Sequence, residues 1–361
     1  MQENWLELAD AFSADQKSVL ATIIETKGAT YQKVGTMMLV NDAGECSGLL
    51  SGGCLEADIA LHCQQVLSEN LSKVLHYDLT GDADLLWGLG GGCEGEIRIL
   101  LQALTTANQH LGFEDALSHA LNGKRGSYIQ QNVSGMAPFG LFIANQPGVE
   151  VSEQKVAQAY NAAYNNHMAT LQTNHLVENK NQQFINIPVY PPISILICGA
   201  GPDAVPVARF AMQLGWIVTL WDHRQAALSE PSFDEVNAKR KIRAEHIKSN
   251  ELNAFDAMIV MTHNLENDQQ YLATAIASKL PYIGLLGPMG RRNKLLENIS
   301  MEYSKVSDRV FGPIGLNLGG RSPQAIALSI MAEIQQQMTA LQVARCKKSQ
   351  FMDVRVHASI Q

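Results

Sequence analysis

Residues 193–204 read Ile-Ser-Ile-Leu-Ile-Cys-Gly-Ala-Gly-Pro-Asp-Ala, an apolar run followed at once by a glycine turn. The run has the length and composition of a buried strand, and the G-x-G-x-x-A pattern after it is typical of the first strand-turn-helix unit of a dinucleotide-binding fold. In such a turn Gly199 permits the sharp bend, Gly201 lets a phosphate group approach the backbone, and Ala204 keeps the helix close to the sheet. The stretch therefore predicts a Rossmann-like domain.

Strands and helices alternate after this turn. The apolar pattern predicts strands at 193–198, 217–221, 257–261 and 282–286, and helices at 203–214, 268–277 and 322–337. This alternation indicates an α/β domain with a parallel sheet covered on both faces. Asp222 ends the second strand, where a ribose hydroxyl would be held, and His263 follows the third strand at the same sheet edge. Two interpretations stay open: the turn holds a phosphate, or it only closes the fold.

The chain before this domain predicts a mixed α/β domain over residues 1–190, because its elements form no repeating βαβ series. Expected strands lie at 18–26, 36–41, 73–79, 96–102, 126–131 and 138–145, and expected helices lie directly after Cys54 and at about 107–121. A polar Asn- and Gln-rich stretch that ends in prolines predicts a linker at about 173–192. The Rossmann-like domain then covers 193–344, and a weakly structured tail follows at 345–361.

Two thiols lie in glycine-rich segments of the first domain. Residues 51–56 read Ser-Gly-Gly-Cys-Leu-Glu at a helix start, where the helix N-terminus lowers a thiol pKa and attracts anions. Cys54 is thus either a thiolate beside an anion-binding loop or a small buried residue, and Glu56 either carries a proton or favours the helix dipole. Cys93 lies in residues 88–95, five of which are glycine. Such a segment is costly to order, which favours a functional role.

Composition excludes several classes of protein. The chain has 361 residues, a formal net charge of −8 and no long basic run, so binding to nucleic acid is not expected. It contains no apolar run of about 20 residues and no signal-peptide pattern, which predicts a cytoplasmic protein that does not enter a membrane. Its six cysteines form no C-x-x-C pair and are expected to be reduced.

Several strings in both domains together resemble the xanthine dehydrogenase accessory factor family (XdhC/CoxI). The resemblance covers most of the chain outside residues 103–190 and the tail. The strings that carry it are residues 21–22, 28–31 and Gly35, then 51–56 and 87–93, then 199–204, 214–216, 222–224, 261–264, 282–288 and 312–316.

The resemblance implies a chaperone that binds the molybdenum cofactor (molybdopterin), protects it during maturation including sulfuration, and hands it to an apo-molybdenum hydroxylase of the xanthine dehydrogenase type. It also implies a cysteine desulfurase and a second copy of the chain as partners. Thiolates are soft ligands, so Cys54 and Cys93 are expected to approach the metal or its dithiolene. The expected cofactor-binding residues are Ser51, Gly52, Gly53, Cys54, Glu56, Cys93, Gly199, Gly201, Ala204, Asp222 and His263.

Two other functions stay open from sequence. The first is an NAD(P)-dependent oxidoreductase that uses the glycine turn and Asp222 for its nucleotide, with His263 as the one good candidate for a proton donor. The second is a scaffold that only docks onto a hydroxylase. The absence of further proton donors at a recognisable spacing favours a cofactor-binding chaperone over a catalyst. The Rossmann-like domain would then hold a nucleotide or the pterin phosphate.

Overall fold

The computed structural model describes residues 5–79, 95–131, 134–144 and 184–346. The chain divides between Pro191 and Pro192 into two compact units, which are treated separately below. Residues 80–94 with Cys93, the polar stretch 173–183 and the tail from residue 347 onward lie outside the described residues. Among the helices within the described ranges, none is both long enough and apolar enough to cross a bilayer.

The first unit contains two antiparallel sheets. One has five strands in the order β3-β2-β1-β5-β4, and the other has three in the order β7-β6-β8. The strands are β1 Ser18–Gly28, β2 Met37–Asn41, β3 Cys46–Ser47, β4 Lys73–Asp78, β5 Gly95–Leu104, β6 Gly126–Gln131, β7 Gly140–Ala144 and β8 Phe184–Val189; the helices are α1 Trp5–Ala11, α2 Glu56–Glu69 and α3 Phe113–Leu121.

The long strand β1 forms the centre of this unit. It pairs with β2 on one side and with β5 on the other, from Ser18 opposite Leu104 to Gly28 opposite Gly95. Successive side chains of a strand point to opposite faces. Val19 and its alternate neighbours therefore pack against α2, whereas Leu20 packs with α1 and α3. Burial on both faces explains why β1 is apolar at every position from Val19 to Ala21.

Two predictions for this unit are wrong in part. The helix expected at 107–121 begins only at Phe113, because residues 109–111 have positive φ and residues 105–108 form a local turn. In that turn Asn108 Oδ1 accepts from the Thr105 N–H at 3.0 Å, a side-chain bond that competes with helix formation. The expected linker at 173–192 contains strand β8 at 184–189, which is an edge strand and therefore tolerates Pro188.

The second unit is a parallel six-stranded sheet in the order β11-β10-β9-β12-β13-β14. This confirms the predicted Rossmann-like α/β fold. The strands are β9 Ser194–Cys198, β10 Ile217–Asp222, β11 Ala238–Lys241, β12 Ala257–Val260, β13 Tyr282–Leu285 and β14 Val310–Phe311; the helices are α4 Ala204–Gln213, α5 Gln225–Leu228, α6 Leu265–Ile276, α7 Met289–Asn298 and α8 Pro323–Cys346.

The apolar residues of β9 divide between two cores. Ile195 and Ile197 pack with α4 and α8 on one face, whereas Leu196 and Cys198 pack with α6 and α7 on the other. A parallel strand buried on both faces reads as a continuous apolar run, which is why this segment was recognisable in the sequence. The residues of the edge strand β11 are exposed, and it carries Lys-Arg-Lys at 239–241, charges that discourage pairing with another chain.

Gly199 is required where β9 meets its turn. Its φ is +114°, and a Cβ atom there would lie 2.6 Å from the carbonyl oxygen of Met261 and 2.9 Å from the Cα of Thr262. Those atoms belong to the chain that leaves β12, the neighbour of β9. Only a residue without a side chain allows the two backbones to approach so closely.

We therefore expect Gly199→Ala to lower the free energy of unfolding by about 2–5 kcal/mol, because it adds both a backbone penalty and a steric clash. The matched control is Gly290→Ala in α7, where a Cβ would meet no atom within 4 Å. It should be neutral or stabilising by up to about 1 kcal/mol. Urea unfolding of the two variants measures the difference, and equal stability would contradict the close approach.

Candidate functional site

The loop at 51–55 is folded around the carboxylate of Glu56. Oε1 of Glu56 accepts from the backbone N–H groups of Leu50 at 3.0 Å and Ser51 at 2.8 Å. Oε2 accepts from the Ser51 hydroxyl at 2.5 Å and from the N–H of Leu55 at 3.2 Å. The Ser51 Oγ also accepts from the Leu55 N–H at 2.8 Å. One side chain therefore fixes the whole loop at the start of α2.

The protonation of Glu56 is controlled by these bonds. Burial raises the pKa of this carboxyl, but the bonds from the Ser51 hydroxyl and from the N–H groups of Ser51 and Leu50 outweigh that effect and leave the pKa below its ordinary value. The residue is thus a carboxylate at neutral pH, and both of its oxygens are engaged. This geometry gives Glu56 a role in shaping the loop, while the role of proton carrier stays a prediction.

The glycines between Ser51 and Cys54 keep the loop open to a ligand. Gly52 and Gly53 have φ values of +77° and +103°, and a Cβ at Gly52 would meet the exposed ring of Tyr31 at 3.4 Å. The backbone N–H groups of Gly52, Gly53 and Cys54 have no acceptor among the described residues. Three successive donors of this kind suit an anion.

The thiol of Cys54 lies two residues before the first residue of α2 and is half-buried. Its side chain packs against the core formed by β1, β5 and α2. Cys93, the second predicted thiol, lies outside the described residues, so the proposed pair of metal-approaching thiols stays a prediction. Within the described ranges, no group of three or more His, Cys, Asp or Glu side chains is placed to hold a metal ion.

In the second unit the carboxylate of Asp222 is turned into the protein and is 3% exposed. Its Oδ2 accepts from the N–H of Ala200 at 2.8 Å and from the Nη2 of Arg224 at 2.7 Å. Its Oδ1 accepts from the backbone N–H and the Nε of Arg224, at 2.8 and 3.0 Å. A ribose hydroxyl would have to displace Arg224 to reach this carboxylate.

The protonation of Asp222 follows from the same contacts. Burial raises the pKa of this carboxyl. The hydrogen bonds from the Arg224 side chain and from the N–H groups of Ala200 and Arg224 outweigh that effect and lower the pKa to about 2. The residue is therefore charged at every physiological pH. It stabilises the glycine turn, because the Ala200 N–H is held by a full negative charge.

The crevice between the β9 and β12 loops is bridged by a hydrogen bond between His263 and Asp203. Nε2 of His263 lies 2.8 Å from Oδ2 of Asp203, and His263 adopts a positive φ of 59°. The other carboxylate oxygen of Asp203 would lie 2.7 Å from a Cβ at Gly201, so this carboxylate covers the glycine where a phosphate would approach. The structure thus places the His263 ring close to Gly201, with the Asp203 carboxylate beside both, while the cofactor-binding role of Gly201 and His263 stays a prediction.

The sequence reasoning missed Asp268. Its buried carboxylate accepts from the Thr262 hydroxyl at 2.5 Å and forms an ion pair with Arg291 at 2.5 Å. Arg292, which follows Arg291 in the chain, donates from Nη1 to the Gly312 carbonyl oxygen at 2.7 Å. Its guanidinium carbon lies 3.8 Å from the centre of the Tyr303 ring. The position of Asp268 in the first turn of α6 was visible in the sequence. Its pairing with Arg291 was not, because the two residues are distant in the chain.

The fold and these sites define a two-unit α/β protein in which a thiol-bearing glycine loop and a Rossmann-like unit share one chain. Residues 195–334 match the XdhC Rossmann domain, and residues 11–78 match the XdhC and CoxI family. The chain belongs to the XdhC and CoxI family.

Two curated relatives and one solved structure match both units. A protein of Bacillus subtilis, named as a probable component of xanthine dehydrogenase, is 30% identical over 92% of this chain and 96% of its own length. The molybdenum cofactor insertion chaperone PaoD of Escherichia coli is 21% identical over 90% of this chain and 85% of its own length. A crystal structure described as a xanthine dehydrogenase from Bacillus halodurans has a TM-score of 0.74 and 28% identity, and the match covers 94% of this chain and 96% of that one.

The loop geometry predicts a pH-dependent effect of Glu56→Gln. The amide cannot accept all four bonds, so we expect a loss of roughly 1–3 kcal/mol at pH 7. Because the folded pKa lies below the unfolded value, the stabilisation is complete above pH 4.5 and is lost as pH falls through the folded pKa. Urea unfolding at pH 7 and at acidic pH should show the difference between wild type and variant shrinking with acid.

The control for this experiment is Glu69→Gln, an exposed residue at the far end of the same helix. Its carboxylate accepts one side-chain bond, from Gln65 at 2.7 Å. It should change stability by no more than about 0.5 kcal/mol at either pH. A Glu56→Gln effect that stays constant from pH 7 to acidic pH would show that the charge does not hold the loop.

Proposed function

We propose that this chain binds the molybdenum cofactor as cargo and hands it to an apo-molybdenum hydroxylase of the xanthine dehydrogenase type. The observation that carries the proposal is the extent of the match to PaoD, named as a molybdenum cofactor insertion chaperone, which spans 90% of this chain and therefore both units. The Bacillus subtilis relative, named after xanthine dehydrogenase, supports the class of client. A cofactor carrier fits these matches better than a metabolic dehydrogenase does.

The loop at 51–56 is the proposed contact with the reactive end of the cargo. A molybdenum centre with a dithiolene prefers soft sulfur ligands, which a cysteine thiolate supplies. Cys54 stands just before the start of α2 and is half-buried, so its sulfur lies at the glycine loop. The free N–H groups at 52–54 add donors for an anionic oxygen or phosphate, and Glu56 keeps them in place. Cys93 is proposed as a second thiol at the same cargo.

Further parts of the function are also proposals. A cysteine desulfurase is the expected partner for sulfuration of the cargo, and a second copy of the chain is the expected partner for a homodimer. The cytoplasm is the expected compartment. Mass spectrometry of the small molecule that co-purifies under anaerobic conditions would identify the cargo and show whether it carries a cytidine tail.

The thiol role is tested by measuring cofactor transfer to an apo-hydroxylase. We expect Cys54→Ala to reduce both the retention of cofactor by the chain and its transfer, because the sulfur ligand is lost while the glycine loop remains. Cys46→Ala is the matched control, since Cys46 is an exposed thiol on the neighbouring strand β3 and should leave transfer unchanged. Unchanged binding and transfer in a Cys54→Ala, Cys93→Ala double variant would eliminate the thiol role.

The alternative of an NAD(P)-dependent oxidoreductase is tested by nucleotide titration. In the described part of the turn the Asp222 carboxylate is occupied by Arg224, and the Asp203 carboxylate covers Gly201. We therefore expect millimolar NAD(H) or NADP(H) to leave the melting temperature unchanged, since a ligand stabilises only when its concentration exceeds Kd. Tight binding with hydride transfer would favour the enzyme instead.

A further inference from the structure

A pocket of about 700 Å³ lies on the flank of α4 in the second unit. Its apolar walls come from Val205, Pro206 and Phe210 of α4 and from Phe233, and it reaches the glycine turn at residues 200–202. This volume is within the range of about 300–1,000 Å³ that is typical of small-molecule sites. The lining includes neither Asp222 nor His263, so the pocket is not the position that the sequence predicts for a ribose.

The polar side chains of this pocket are free to bind a ligand. None of them makes a hydrogen bond or ion pair to another described residue, in contrast to the charged groups of the crevice, where Asp203, Asp222 and Asp268 are each paired with a basic side chain. Apolar walls with a few unpaired polar groups are the usual composition of a ligand site. The free polar side chains are Arg209, Gln213, Glu230, Ser232 and Gln324.

The charges of the pocket indicate the chemistry of its ligand. The Arg209 guanidinium matches the geometry of a phosphate, to which it donates two parallel bonds. The Glu230 carboxylate has two acceptor oxygens, which match the adjacent ring N–H and amino group of a 2-amino-4-oxo pyrimidine ring. Phe210, which is partly buried, supplies aromatic surface for a flat ring. Pterins and guanine share this amino-oxo edge, and adenine lacks it.

We infer that the pocket on α4 binds a phosphorylated 2-amino-4-oxo heterocycle, with Arg209 at the phosphate and Glu230 at the amino-oxo edge. This inference rests on the proposed function, because the molybdenum cofactor contains a phosphorylated pterin, and it concerns a pocket within the second unit alone. The pocket shares residues 200–202 with the glycine turn, but its lining includes neither Asp222 nor His263, the residues that the sequence predicts at a nucleotide. Guanine nucleotides are the other source of the same chemistry.

The test is calorimetric titration of the full chain with neopterin monophosphate, unphosphorylated neopterin, GMP and AMP. We expect neopterin monophosphate and GMP to bind about tenfold more tightly than AMP, because AMP offers no paired donors to Glu230. Arg209→Ala should weaken binding of the phosphorylated probes about tenfold and leave neopterin unchanged. Glu230→Gln should abolish the preference for GMP over AMP.

The matched controls are Arg243→Ala and Glu297→Gln, which remove exposed charges outside the pocket and should not alter binding. The inference fails if neither neopterin monophosphate nor GMP binds, or if both bind equally well to the Arg209 and Glu230 variants. If GMP binds and neopterin monophosphate does not, the pocket recognises the amino-oxo edge and phosphate as inferred, but its assignment to the cargo is overturned. Full retention of co-purified cofactor by variants that lose both probes would overturn that assignment too.

These outcomes are separate from the test of the proposed function. If the wild-type chain carries and transfers no molybdenum cofactor but still binds the probes, the proposed function fails and the pocket chemistry stands. If transfer is normal in wild type and in both pocket variants, the proposed function stands and the pocket assignment fails. The two conclusions therefore do not depend on one measurement.

Discussion

The buried carboxylate of Asp222 is the contact on which the second unit depends. It joins the end of β10 to the turn after β9 through the Ala200 N–H, and it is itself held by Arg224. Because the turn determines where α4 begins, this contact also positions the face of α4 that forms the pocket. A group that usually serves a nucleotide in this fold class is used here to fix the backbone.

Glu56 has the same role in the first unit, where a single carboxylate accepts from the N–H groups of Leu50 and Ser51 before the glycines and of Leu55 after them. In both units the backbone donors bond to a full negative charge, and such charge-assisted bonds are about twice as strong as neutral ones. Glycine loops lose much conformational entropy on ordering. An internal anion that offsets this cost leaves the loop preformed for an incoming group.

The elements that the sequence predicts well are those in which local pattern and burial agree. The apolar run of β9 and the helix after Cys54 are of this kind. The helix expected at 107–121 is shorter because a side-chain bond from Asn108 competes with it, and β8 was hidden by its proline and polar neighbours. The pairing of Asp203 with His263 joins residues 60 positions apart, so no local pattern could reveal it. The glycine motifs were therefore recognisable in the sequence, but the partners of their charged side chains were not.

The pairing of β1 with β5 has a consequence for the order in which the chain can fold. Ser18 pairs with Leu104, and β6 pairs with β8 from Gly126 opposite Val189. Contacts between residues so far apart form slowly, because a long loop must close first. In a nascent chain shorter than about 104 residues, β1 can pair with β2 but not yet with the whole of β5. The loop at 51–56 is connected to α2, which packs on that sheet. It therefore acquires its shape only after much of the first unit has been synthesised.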